Sequence, residues 1–296
     1  MTRCLQTTGQ GYFEEVTYDV PSVGPNDIFV KAIMTGVCRS DIDMMQGNFG
    51  PLPLSMQGHE GLGQVVSTGA NVSNINVGDF VATRGEPAYA DYYTVRENEY
   101  VWVPEAHPRY IIEPVACGIN VVDQAWQQIR ERSDGKVLIL GSGFLAWVAF
   151  NRLILQRPQM NIDVLGSSNL DLWGNRLLLG TTESYDVVID LTGKYALGTE
   201  INLNNNAIII DGVGKAVSRE EAQQQLWKAC TTIRPSPRTT GFHQCMKEGV
   251  WMIENGHLRV DNFWTQAYNR DMEWQQAFAD GADRPNGYSR GYIKWD

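Results

Sequence analysis

The sequence of 296 residues has little that would carry it into a membrane or onto nucleic acid. Its apolar runs, such as residues 137–140, fall far short of the roughly 18–20 residues that span a bilayer. Residues 1–8 lack the apolar core of a secretion signal, so the sequence predicts a cytoplasmic protein. Positive charge is scarce: 24 Lys and Arg face 34 Asp and Glu, and a net charge of -10 repels phosphate backbones, so nucleic acid is not an expected partner. Cysteine is sparse too. Cys4, Cys38, Cys117, Cys230 and Cys245 are odd in number and widely spaced, which excludes a disulfide framework and leaves reduced thiols, some of them metal ligands. There is no internal repeat, biased tract or low-complexity linker, and a chain that is 43% hydrophobic and 20% charged has enough apolar surface to fold. At roughly 100–200 residues per domain, two domains are expected.

What is present divides the chain in two. Residues 1 to about 115 read as strands and turns, with β-rich runs at 28–33 and 63–66 separated by Gly, Pro and Asn. From there a helical stretch over 118–130 leads to the apolar run Lys136–Leu140, a glycine turn, and a second helical stretch over 144–156. Apolar runs at 162–165, 185–189 and 207–210 follow, each ending near Gly or Asp. Continuous apolar strands of this kind suit a parallel sheet with helices on both faces. The last 50 or so residues show one helical segment, 244–255, and a closing strand at 291–295. The fold class is therefore α/β, with a β-rich half before a doubly wound half. The step from Leu178 to Tyr185 is short, so one crossover unit is expected to be reduced.

Two motifs carry chemistry. Gly141-Ser142-Gly143-Phe144-Leu145-Ala146 fits G-x-G-x-x-G/A directly after a strand and at the opening of a helix, where small residues let a pyrophosphate approach backbone N–H donors. The next strand reaches Gly166-Ser167-Ser168-Asn169, where an NAD site presents an acid to the ribose hydroxyls. Here Ser167 and Ser168 offer hydrogen bonds to a 2′-phosphate, so NADP(H) is expected over NAD(H). In the first half, Cys38 is followed 21 residues later by His59 and Glu60, and Glu113 and Cys117 come at the junction of the halves. Thiolate, imidazole and carboxylate are the donors of a catalytic zinc site that keeps one position open. Each has a plainer reading: Cys38 as a small buried hydrophobe, Ser40 and Asp41 as helix caps, Cys117 as packing, and Trp251, Trp264 and Trp274 as core.

The strings G-V-C-R-S-D at 36–41, G-H-E-G-L-G-Q-V-V-S-T-G at 58–69, V-G-D-F-V at 77–81, E-P-V-A-C-G at 113–118 and G-S-G-F-L-A at 141–146 resemble, in order, the zinc-dependent alcohol and polyol branch of the medium-chain dehydrogenase/reductase superfamily. The resemblance implies a GroES-like catalytic domain of residues 1–117 and 241–296 and a Rossmann-type domain of residues 118–240. It implies Cys38 and His59 as zinc ligands, with Glu60, Glu113 or Cys117 completing the set and the carboxylates favoured. It further implies Arg39 on the cofactor pyrophosphate, with Gly141, Gly143, Phe144 and Leu145 beside it, Ser40 as the proton relay, and Asp41 orienting the metal-site histidine. The chain departs from the pattern at Asp43, where many members end the relay with a histidine, and at 82–90, which lack the cysteines of a structural zinc lobe. One zinc at most is expected.

The function implied is hydride transfer between NADP(H) and an alcohol, aldehyde or ketone, in a homodimer or homotetramer. Two alternatives compete: a zinc-free reductase of the quinone or enoyl type, whose members lack the Cys and His pair, and a non-catalytic NADPH-binding protein.

Overall fold

The computed structural model describes residues 2–8, 10–48, 58–132 and 134–295. The chain forms two compact units, residues 1–116 with 246–296 and residues 117–245. In chain order the first stretch holds β1 (Thr2–Thr7), β2 (Phe13–Tyr18), β3 (Ile28–Gly36), α1 (Arg39–Met45), β4 (Gly61–Thr68), β5 (Phe80–Thr83), β6 (Tyr92–Val95) and β7 (Tyr100–Val103). Then come α2 (Glu113–Asp123), α3 (Trp126–Arg130), β8 (Lys136–Leu140), α4 (Phe144–Gln156), β9 (Asn161–Leu165), α5 (Leu170–Trp173), β10 (Leu177–Leu178), β11 (Ser184–Asp190), β12 (Asn202–Asp211), α6 (Arg219–Trp227) and β13 (Thr231–Ile233). The chain closes with α7 (Phe242–Glu254), β14 (Trp264–Asn269), α8 (Trp274–Asp283) and β15 (Arg290–Lys294).

The first unit is the expected β-rich lobe. Its main sheet runs β14-β15-β3-β4-β5-β7, with β6 also pairing to β3, and β1 and β2 form a separate hairpin. β3 alternates buried and open positions because one face packs inward. That face meets Leu5, Phe13, Tyr89, Tyr93, Phe278 and Ile293 in one core. Phe278 of α8 stacks on Phe13 with ring centroids 3.8 Å apart. The late strand β15 lies inside the sheet between β14 and β3, so residues 246–296 are structural members of this unit.

The second unit is the expected Rossmann-type sheet, six parallel strands in the order β10-β9-β8-β11-β12-β13. Its strands read as unbroken apolar runs because both faces are covered. Val137, Ile139, Val164 and Ile189 face one core, and Leu138, Leu140, Leu165 and Val188 the other. The first core is packed by Val122, Ile129, Ala149 and Leu153 of α2, α3 and α4. The second differs from expectation: it is closed by Leu197 and Ile201 of the stretch 191–201, which, among the described residues, forms no helix. The contraction read at 178–185 is present, since 179–183 also lack a helix and β10 is two residues long. No helix among the described residues is long and apolar enough to cross a membrane.

Two sequence expectations are corrected. The helix expected from residue 118 starts at Glu113, because Pro114 sits in the first helical turn, where its missing N–H costs nothing, and it ends at Asp123, before α3. The tail carries a second helix, α8, whose inward face is Ala277, Phe278 and Gly281.

Candidate active site

Antiparallel pairing of Thr35 with Gly61 sets the end of β3 against the start of β4, so Cys38, just past β3, meets His59 and Glu60, just before β4. Gly58 makes this possible. It turns the chain with φ +70°, and a Cβ there would meet Tyr89 Cγ at 2.7 Å, so only glycine fits. One ligand atom from each of Cys38, His59 and Glu60 lies within 4.8 Å of the other two. Ser40 Oγ donates to Cys38 Sγ across 3.2 Å and lies 3.4 Å from His59 Nε2.

Asp41 organises this group from beneath. It is fully buried, accepts the Cys38 backbone N–H at 3.0 Å and the Tyr89 hydroxyl at 2.7 Å, and places Oδ1 3.5 Å from His59 Nδ1. The helix-cap reading therefore holds in altered form: the cap is Cys38, Asp41 closes it three residues on, and the same carboxylate faces the imidazole. With Nδ1 toward Asp41, Nε2 is left for a metal. Glu60, also fully buried, accepts from Arg290 Nη2 on both carboxylate oxygens, and the Arg290 guanidinium lies 4.9 Å over the Trp264 ring.

The electrostatics suit a dication. Burial, then the Glu60 carboxylate, pushes the Cys38 thiol above its ordinary range, so a thiolate there needs a cation beside it. Burial opposes charge on His59, yet Asp41 outweighs it and holds the imidazole protonated well above its usual range. With His59 neutral and Cys38 ionised, the groups Cys38, Asp41, Glu60 and Arg290 carry two net negative charges, which a dication balances. The donor set thus fits zinc.

The other expected site residues are placed as follows. Glu113 is buried in the first turn of α2 and stands outside the close group of donors among the described residues. Cys117 follows in α2 and is partly exposed. Arg39 pairs with Asp43, Nε to Oδ1 3.2 Å, one turn along α1. Phe49 lies outside the described residues. Tyr89 is fully buried and supports Asp41, and Trp147 packs against Phe150 and Trp173. Trp251, expected in the core, is half exposed beside His257.

In the second unit, Gly141 leaves the C-terminal end of β8 with φ +115°, next to β11, where the strand order reverses. Gly143 caps α4 with extended backbone and no side-chain cap, and nothing lies within 4 Å of a Cβ built on it, so the first-turn N–H groups of Phe144 and Leu145 are open to an anion. Ser142 ties this turn to the loop after β9. Its hydroxyl meets Ser168 Oγ and accepts the Ser168 N–H, both at 2.9 Å, and its carbonyl accepts from Asn169 Nδ2 and Trp173 Nε1. Ser167 is exposed beside it. Arg176, a few residues on, lies over the Phe150 ring at 5.2 Å.

Sequence reasoning missed Arg290 and Ser142 as site residues, and missed that Tyr89 supports Asp41. Ser142 stood inside the glycine motif, but nothing local marks Tyr89 or Arg290, which reach Asp41 and Glu60 across the sheet.

Residues 24–108 match the alcohol dehydrogenase GroES-like domain family. D-arabinitol dehydrogenase 1 of Uromyces fabae is 24% identical over 331 aligned positions, covering 92% of this chain and 91% of that protein. L-threonine 3-dehydrogenase of Pyrococcus horikoshii is 32% identical over 101 residues, covering 32% of this chain and 29% of that protein. The crystal structure of TarJ from S. aureus in complex with NADPH superposes with a TM-score of 0.76 at 17% identity, covering 100% of this chain and 99% of that one.

Proposed function

We propose that the chain is an alcohol- or polyol-type oxidoreductase of the medium-chain dehydrogenase/reductase superfamily that transfers a hydride between NADP(H) and an alcohol, aldehyde or ketone at one catalytic zinc. The observation that carries this reading is the convergence of Cys38, His59 and the buried Glu60, with Ser40 across the Cys38 and His59 donor atoms. Bound there, zinc supplies Lewis-acid polarisation of the substrate oxygen, and the nicotinamide supplies or accepts the hydride.

This chain's own residues do the rest. Cys38, His59 and Glu60 hold the metal, with Glu113 as the further carboxylate. Ser40 takes the hydroxyl proton of the alcohol and passes it toward solvent. Asp41 keeps His59 Nε2 aimed at the metal, and Arg290 fixes the Glu60 carboxylate. On the nucleotide side, Gly141, Gly143, Phe144 and Leu145 receive the pyrophosphate on open N–H groups, aided by Arg39. Ser167 and Ser168 receive a 2′-phosphate, a preference supported by the lack of an acid at 166–169. The working form is a homodimer or homotetramer in the cytoplasm, which light scattering on the purified protein tests for assembly.

The deciding experiment is zinc per chain by elemental mass spectrometry on protein purified without chelators, beside Cys38→Ala and Glu113→Gln. The expected result is close to one zinc in the parent and near zero in Cys38→Ala, with turnover of an aldehyde panel dependent on NADPH. Near zero in the zinc-supplied parent overturns the metal reading in favour of a zinc-free reductase or a nucleotide-binding protein. Equal dissociation constants for NADH and NADPH overturn the cofactor preference.

A further inference from the structure

Ser142, between the two glycines of the turn after β8, is only 3% exposed, and its hydroxyl lodges against the loop that follows β9. The approach is close. A Cβ on Gly166 would come 2.5 Å from Ser142 Oγ, so the loop passes the hydroxyl only because residue 166 has no side chain. The backbone of Ser142 holds the same loop. Its carbonyl accepts from Asn169 Nδ2 and from Trp173 Nε1, each at 2.9 Å, and the Trp173 ring stands edge-on to Trp147 and Phe150 of α4.

A serine hydroxyl has one proton to give and two lone pairs to fill, and the geometry assigns them. Ser142 Oγ accepts the Ser168 N–H at 2.9 Å and lies 2.9 Å from Ser168 Oγ, its one other polar partner among the described residues. Were Ser168 the donor in that second contact, the Ser142 proton would be buried without an acceptor, and an unmade buried hydrogen bond is costly. The Ser142 proton therefore goes to Ser168 Oγ. Asn169 reinforces this direction. Its Nδ2, oriented by the Ser142 carbonyl, has a second hydrogen that reaches Ser168 Oγ at 3.4 Å. Two donors fill the lone pairs of Ser168 Oγ, so the Ser168 proton points out of the pair. Ser168 is exposed, and that proton faces whatever the loop binds.

We propose that Ser142 is a positioning residue that sets nucleotide choice, by making Ser168 a one-way donor that suits a 2′-phosphate and not a 2′-hydroxyl. A phosphate only accepts, whereas a ribose hydroxyl must also give its own proton away, and Ser168 Oγ has no lone pair to take it. No acid at 166–169 takes it either. This inference rests on the NADP(H) reading above and supplies a residue and a cause for it. Ser142 acts through Ser168 and takes no part in hydride or proton transfer.

The test is calorimetric binding of adenosine 2′,5′-bisphosphate and of 5′-AMP, which differ only in the 2′-phosphate, and it needs no turnover. The proteins are the parent, Ser142→Ala, Ser168→Ala and the double variant. The bisphosphate is expected to bind the parent at least tenfold more tightly than 5′-AMP. In Ser142→Ala that ratio falls at least fivefold while 5′-AMP binds no more weakly, because Ser168 Oγ regains a lone pair. Ser168→Ala lowers the ratio at least as far, and the double variant lowers it no further than Ser168→Ala, the non-additivity of two residues that act as one.

A ratio that falls less than fivefold in Ser142→Ala, or an affinity loss shared equally by both nucleotides, overturns the assignment and leaves the NADP(H) preference intact, since a merely loosened turn weakens both alike. A double variant whose loss is the product of the two single losses overturns it as well. A parent ratio near 1 removes the NADP(H) preference itself, and this inference with it. Should Ser142→Ala not fold, Ser142→Gly deletes the same hydroxyl in a turn already made of glycines, with the same expected result and the same refutation.

Discussion

At the scale of single residues, Asp41 does more than any donor atom. One carboxylate closes the cap of α1, takes the Tyr89 hydroxyl and faces His59, so its loss is felt in both the fold and the metal affinity. Asp41→Asn should lower zinc affinity about 10–100-fold, read by competition with a chromophoric chelator, because the amide loses the charge that orients the imidazole. Tyr89→Phe should have a smaller effect in the same assay, since it removes one of several partners. Gly36 makes a second prediction. A Cβ there would collide with Glu60 Oε2, so Gly36→Ala must push the carboxylate off Arg290. Leaving that buried arginine poorly paired should cost about 3 kcal/mol or more in chemical denaturation. Cys38, His59 and Glu60 were legible because the strings around them are contiguous and chemically distinctive. Arg290 was not, because its meaning is a contact with Glu60 set by the pairing of β15 with β3.

At the scale of elements, strands and helices were read best where side-chain character is uniform. β8, β9, β11 and β12 announce themselves as apolar runs, and α4 follows a glycine turn. α8 escaped because Ala and Gly make much of its buried face, which leaves little hydrophobic contrast along the sequence. α6 shows a different economy, for its only buried residue is an acid. Glu221 accepts from Lys215 Nζ, from the Leu197 and Ser218 N–H groups, and its own N–H is capped by Ser218. Burial alone would raise its pKa, but the Lys215 bond and these N–H donors win and hold it at about 2. A depressed folded-state value means stability that is present above the ordinary glutamate range and lost as pH falls toward 2. The size is about 3 kcal/mol. Thermal melts between pH 5 and pH 2.5 should therefore fall in the parent and fall less in Glu221→Gln, which starts lower.

At the scale of the whole molecule, the two units differ in how they use the chain. The second is continuous, 117–245, while the first needs both 1–116 and 246–296, with β15 inside its sheet. A fragment of residues 117–245 should unfold cooperatively on its own, and a fragment of residues 1–116 should not, as circular dichroism during heating can check. The division into a β-rich half and a doubly wound half was legible from the change in texture near residue 115. The strand order was not, because order is decided by pairings between distant segments. Nor was the part played by the stretch 191–201, which supplies Leu197 and Ile201 to the second core without any helical pattern.

The ion pair between Glu60 and Arg290 also has a place in time. Its partners stand 230 positions apart, so a ribosome making this chain emits the donor cluster long before its counter-cation. Until then Glu60 has no guanidinium to hold it. A chain that stops short of β15 carries Cys38, His59 and Glu60 but cannot lock them, so the finished geometry of the centre certifies that translation passed β15.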